Sequence, residues 1–242
     1  MKAVEAWHSE RTNTDIRLVR WGVTGAPVLV FPTAGGDAEE IERWHLVGAV
    51  GGLLAAGRIK IYSVDSVAGQ SWMNHDDPRH SMWLQNQFAS AVYNEVVPAI
   101  RKDCQDDSIE IITAGASIGA LNAVASVCRN PDVFRAAIGM SGTYDLSGWL
   151  GGHWSDDFYF SSPLHWLPDF DDASRLELLR RRFVLLATGK GRWENPGESW
   201  KMAHVLGSKG IPNRVDEWSG GHDHDWPTWR EMLPLYLDDM VD

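Results

Sequence analysis

The chain has 242 residues, 44% of them hydrophobic, with 22 Lys and Arg against 33 Asp and Glu for a formal net charge of −11. That is enough apolar material for one sizeable α/β domain spanning 1–242, and an acidic surface of this kind excludes nucleic acid and anionic membranes as partners. Two cysteines, Cys104 and Cys128, without C-x-x-C spacing exclude a disulfide framework or a cysteine zinc site.

Residues 1–8 contain no apolar signal-type core, and the longest weakly polar run, Val47 to Ala56, is too short to span a bilayer, so a cytoplasmic location is expected. Thr14 to Trp21 alternates, as a half-buried edge strand does. Pro27 to Phe31 is a continuous apolar run, the first central strand. After the loop Pro32-Thr33-Ala34-Gly35-Gly36-Asp37, a mostly helical stretch interrupted by glycines is expected from about Glu39 to Ala56. Ile59 to Val64 reads as a strand and Asp65 to His80 as a polar loop. Phe88, Ala89, Val92, Tyr93, Val96, Val97 and Ile100 recur at helical spacing. Ile109 to Thr113 is a short β-branched strand, and the small and apolar residues from Ala120 to Val127 follow as a helix. A strand from Phe134 to Ser141 leads into an irregular, aromatic segment at about 142–171. A short helix around Leu176 to Leu179 and a strand from Phe183 to Ala187 come next. Asn195-Pro196-Gly197-Glu198 predicts a helix start with Asn195 as N-cap. Arg214 to Trp218 is the last strand, and a terminal helix opens at Asp225 or Trp226. Strands alternating with helices imply a mostly parallel sheet covered on both faces, with its site at the carboxyl ends of the strands.

Between the strand at Ile109 to Thr113 and the helix that follows it stands Gly115-Ala116-Ser117-Ile118-Gly119. In that context the pattern is a nucleophile elbow: the serine sits on a tight turn, and near side-chain-free neighbours let the turn close. A serine hydroxyl needs a base within hydrogen-bond reach. Where such an elbow occurs the chain order is serine, acid, histidine. The late loop Gly220-Gly221-His222-Asp223-His224-Asp225 offers His224, next to the terminal helix, with His222 as the alternative. The same His-x-His pair flanked by aspartates is also a conceivable metal site, but no further ligands at metal spacing stand out, and neither metal nor cofactor is expected. The acid is expected after the penultimate strand, where Glu194 is the only carboxylate before the helix cap; Asp145 is the competitor one strand earlier. Two amides are needed for a developing oxyanion: Ile118, and either Ala34 or Thr33 from the loop after the first central strand.

Four stretches, Phe31-Pro32-Thr33-Ala34-Gly35-Gly36, the elbow, Ser141-Gly142-Thr143-Tyr144-Asp145 and His224-Asp225-Trp226-Pro227-Thr228-Trp229-Arg230, resemble the putative esterase (esterase D-like) family of α/β-hydrolases. The resemblance covers Pro27 to Leu235 and implies an α/β-hydrolase fold without a large cap domain. It implies a serine carboxylesterase acting on small esters, with His224 matching the family's catalytic base. Glu194 departs from the aspartate that many members carry in the acid loop. A non-catalytic binding module on the same fold and an acyltransferase or thioesterase are the alternatives. Trp149, Trp154 and Trp193 are expected to line the substrate pocket, with Trp72 and Trp83 at its rim and Asn74 and His75 near a polar leaving group. A small ester is the expected partner, and self-association into a homo-oligomer is compatible with this surface.

Overall fold

The computed structural model describes residues 1–74, 76–149, 152 and 154–241. Eight strands form one sheet: β1 (Lys2–Ser9), β2 (Thr14–Trp21), β3 (Ala26–Phe31), β4 (Ile59–Val64), β5 (Ile111–Ala116), β6 (Phe134–Met140), β7 (Phe183–Thr188) and β8 (Asn213–Glu217). Their order is β1-β2-β4-β3-β5-β6-β7-β8. The pairs β1–β2 and β2–β4 are antiparallel and all others are parallel. This is an α/β-hydrolase sheet.

β1 is absent from the sequence reading. It pairs with β2 along its whole length, from Lys2 opposite Trp21 to Ser9 opposite Thr14, yet most of its residues face solvent. An edge strand carrying Lys2, Glu5 and His8 has no apolar face to betray it.

In the central strands, successive side chains feed opposite cores. Leu29 and Phe31 pack with α-helical residues on one face, Val28 and Val30 with those on the other. One face is covered by α1 (Glu40–Arg43), α2 (Leu46–Ala49) and α3 (Gly51–Ala55), which divide the expected glycine-interrupted stretch. α4 (Val67–Met73) lies where a polar loop was expected. α5 (Pro78–Ala91), capped by Asp77, runs through a π turn at Val92–Val96 into α6 (Val97–Cys104). Pro98 has no N–H for the helical ladder, and the π turn absorbs the break.

α7 (Ile118–Arg129) is buried along nearly all its length beneath α5. The aromatic segment contains α8 (Asp156–Ser161) and α9 (Pro163–Trp166), capped by the hydroxyls of Ser155 and Ser162. It is followed by α10 (Ala173–Leu179). α11 (Pro196–Ser208) starts as expected, but the Asn195 side chain makes no capping hydrogen bond. α12 (Trp226–Met240) is capped by Asp225, which accepts from Thr228 N–H at 3.2 Å, and it covers the same face as α1 and α2. Cys104 and Cys128 are both free. No helix among the described residues is long and apolar enough to cross a membrane.

The six parallel strands end on one edge. The segments that leave them, at residues 32–39, 65–66, 117, 141–149, 189–195 and 218–225, therefore converge there.

Candidate active site

Ser117 joins β5 to α7 with φ 57° and ψ −123°, a conformation that side-chain-bearing residues avoid. The surroundings over-determine it. Its N–H donates to Met140 O (3.0 Å) at the end of β6, and its carbonyl accepts from Thr143 N–H (3.2 Å). A Cβ on Gly119 would lie 2.5 Å from Phe31 O and 2.6 Å from Pro32 O. A Cβ on Gly115 would collide with the carbonyl of Gly119. The two elbow glycines are thus required by close backbone approach. Ile118 is the first residue of α7, and the opening amides of a helix lack intrahelical acceptors and favour negative charge.

Glu194 is held at the neighbouring strand ends. One carboxylate oxygen accepts from Ser141 Oγ and the other from Thr188 Oγ1 at 3.0 Å. Ser141 also receives Trp229 Nε1–H at 2.9 Å, and its own φ is 48°. The loop bearing Glu194 is zipped to the loop bearing His224. Gly191 N–H donates to His222 O (2.9 Å), His224 N–H donates to Arg192 O (3.0 Å), and Asp223 accepts from Arg192 N–H (2.7 Å) and Nε–H (2.8 Å). A Cβ on Gly189 would strike His222 O, so this approach again needs glycine.

The pairing places the His224 ring edge-on to Trp229 at 5.2 Å between centroids and within reach of the Glu194 charge, although among the described residues no hydrogen bond or ion pair joins His224 to Glu194 or to Ser117. Burial lowers the His224 pKa below the ordinary histidine value, against the opposing charges of Glu194 and Asp225. His222 is engaged elsewhere, with Nδ1 2.7 Å from Ser219 O and Nε2 3.3 Å from Glu231. Asp145 is likewise turned to other partners, the Ser147 amide (3.0 Å) and Lys201 Nζ (3.3 Å).

The two candidates for the second oxyanion donor differ. Thr33 N–H donates to Glu40 Oε2 at 2.8 Å and its hydroxyl to Oε1 at 2.7 Å. Its amide is therefore taken, which corrects its inclusion beside Ala34. Ala34 lies against α4, where a Cβ on Gly69 would sit 2.6 Å from Ala34 O.

Ala34 also lines a cavity of about 440 Å³ together with Trp72, Met73, Asp76, Pro78 and Trp149. The rings of Trp72 and Trp149 stand 5.2 Å apart at 57°. Trp149 thus lines this cavity. Trp154 does not: it packs on Phe158 and His165 and is 71% exposed. Trp193 does not either: it is 78% exposed, with Arg192 over its ring. Trp83 stacks on His80. Asn74 closes the C-terminus of α4 outside the cavity lining, and His75 falls outside the described residues.

A family profile described as "Putative esterase" matches residues 66–240. The chain belongs to this esterase family. No curated protein matches it. The esterase is similar in fold to several solved structures. A ferulic acid esterase superposes with TM-score 0.76 at 17% identity, over 100% of this chain and 98% of that one. An S-formylglutathione hydrolase from Agrobacterium tumefaciens gives 0.71 at 13%, over 99% and 92%. A fluorophosphonate-binding serine hydrolase from Staphylococcus aureus gives 0.69 at 14%, over 100% and 98%. Membership of the family makes the protein an ester hydrolase.

Several supporting residues of the esterase escaped the sequence reading. Thr188 and Ser141 fix Glu194, and Glu40 fixes the loop before Ala34. Glu198 accepts the amides of Tyr144 (3.0 Å) and Asp145 (2.8 Å), tying the 141–145 segment to α11. Only the clustering of hydroxyls at strand ends, Ser141 and Thr188, left a trace in the sequence.

Proposed function

We propose that the esterase hydrolyses small esters, carrying a short acyl or single-ring aryl group, through an acyl-enzyme formed on Ser117. Ser117 Oγ attacks the ester carbonyl as His224 takes its proton, with Glu194 holding the imidazole and stabilising its charged form. The tetrahedral oxyanion is met by the amides of Ile118 and Ala34. Collapse breaks the bond to the alcohol, which leaves with the proton from His224. Water then adds to the acyl-enzyme, His224 accepts its proton, and the carboxylic acid departs as Ser117 Oγ regains a proton.

The observation that supports this reading is the zipping of the loop bearing His224 to the loop bearing Glu194, at the same sheet edge as Ser117 with its positive φ. A cavity of about 440 Å³ is near the lower end of small-molecule sites, and its Trp72 and Trp149 walls suit a flat or short apolar group. The fold likeness to a ferulic acid esterase agrees with an aryl acyl group.

A fluorophosphonate probe and a series of p-nitrophenyl esters of rising acyl length test the proposal. Ser117→Ala is expected to abolish labelling and to lower kcat by ~10³ or more while the fold persists. Rates should fall steeply once the acyl chain outgrows the cavity. Labelling that survives in Ser117→Ala, or product that goes mainly to an added alcohol, would overturn the hydrolytic mechanism.

A further inference from the structure

A second cavity, of about 320 Å³, lies at the other end of α7 from Ser117. At 1.5 Å per residue, the twelve residues of that helix separate the two by about 18 Å. Phe160, Trp166 and Phe170 form apolar walls, and Arg129 and Arg175 supply two guanidinium groups.

Both cations are bonded to neutral oxygens. Arg129 donates to Asn86 Oδ1 at 2.9 Å and to Phe160 O, and Arg175 donates to Arg129 O, closing the C-terminus of α7. Neither makes a salt bridge among the described residues. Neighbouring carboxylates are engaged elsewhere: Asp132 accepts from Tyr93 Oη (3.2 Å) and Asp157 from Asn86 Nδ2.

Two buried donors on the cavity wall, Arg129 Nε–H and the indole N–H of Trp166, meet no acceptor among the described residues. Trp166 is only 7% exposed, so that unmet indole is costly in an apolar setting. Burial also pulls the Arg129 pKa down to about 10, and the Arg175 charge acts in the same direction. Asp172 accepts the Arg175 backbone N–H at 3.1 Å and is engaged by Ser174, so no carboxylate pairs with either guanidinium among the described residues. A partly buried cation beside a second cation is then a site whose electrostatics are completed by an anion.

We propose that this cavity binds a small aromatic carboxylate. Its carboxylate is taken by the Arg129 and Arg175 guanidiniums in charge-assisted hydrogen bonds, and its ring lies among Phe160, Trp166 and Phe170. The planar Arg175 group already lies over the Phe170 ring at 5.7 Å, which aligns one donor fork with the apolar wall.

Calorimetric titration of the full chain with benzoate, benzamide and inorganic phosphate at low ionic strength tests this. Benzoate is expected to bind at least tenfold more tightly than either other probe. Arg175→Gln, at an exposed position, should weaken benzoate about tenfold with an unchanged thermal melt, and Arg129→Lys, which keeps the charge but loses the fork, should weaken it similarly. Should Arg129→Lys fail to fold, Arg175→Gln alone decides. Absence of benzoate binding, or equal binding by wild type and Arg175→Gln, would overturn the site. Equal binding of benzamide would overturn the anion requirement, and equal binding of phosphate the aromatic class.

Discussion

His224 works at a compromise between two opposed effects. Burial disfavours its charged form, while the carboxylates of Glu194 and Asp225 favour it, and burial prevails. A base must be neutral to accept the Ser117 proton. Activity should therefore rise with pH through a midpoint below the ordinary histidine value of about 6.5 and be level at neutral pH. Glu194→Gln keeps a side chain able to meet Ser141 and Thr188 but removes one charge that raises the His224 pKa. The acid limb of kcat/KM should then move to still lower pH. The same change should cut kcat by ~10²–10⁴, since the imidazolium formed during attack loses its counter-charge. A pH–rate profile of both proteins measures the two effects together. A limb that stays put or moves upward would mean that Glu194 does not face the titrating imidazole.

At the scale of elements, the site depends on two loops that hold each other. Asp223 is not in the reacting group, but it fastens Arg192 through its backbone and side chain and so fixes the register of His224 against Glu194. Asp223→Ala should lower kcat by about ten- to a hundredfold, leave KM nearly unchanged and shift the melting temperature little, because the defect is one of position. Steady-state kinetics with a parallel melt checks this, and an unaltered kcat would show that the backbone pairs alone suffice. Such loop pairing explains what the sequence could and could not disclose. The apolar runs of β3 and β7, the elbow and the Asp225 cap are local patterns and lie where the pattern put them, while β5 begins two residues and ends three residues later than expected. The candidacy of Glu194 was legible from its place in the chain. Its anchoring by Ser141 and Thr188 was not, because that follows from β6 and β7 being neighbours. α4 has a glycine, two hydroxyl or amide residues and no apolar period, and it is held by packing of Gly69 on Ala34. Trp72 was expected at the pocket rim, but not the helix that carries it into the cavity wall. Thr33 looked equivalent to Ala34 until the buried Glu40, seven residues on, took its amide.

The molecule as a whole carries a formal charge of −11, and one wall of the cavity proposed to take the ester includes Asp76. An incoming ester therefore meets a negative field before it meets Ser117. For an anionic ester the field is a barrier to encounter, and salt should relieve it. At low ionic strength the screening length is about 30 Å, long enough for the whole surface to act; at 0.15 M it is about 8 Å, and only charges beside the cavity remain. The kcat/KM for p-nitrophenyl hemisuccinate should accordingly rise several-fold as salt is raised across that range, while that for neutral p-nitrophenyl acetate should change little. The rise should appear in kcat/KM and not in kcat, since steering alters encounter and leaves the acyl-enzyme chemistry untouched. Asp76→Asn separates the local from the global contribution: it should lift the hemisuccinate rate at high salt, where the distant charges are already screened. Identical salt responses for the two esters would show that the negative surface does not reach the cavity mouth.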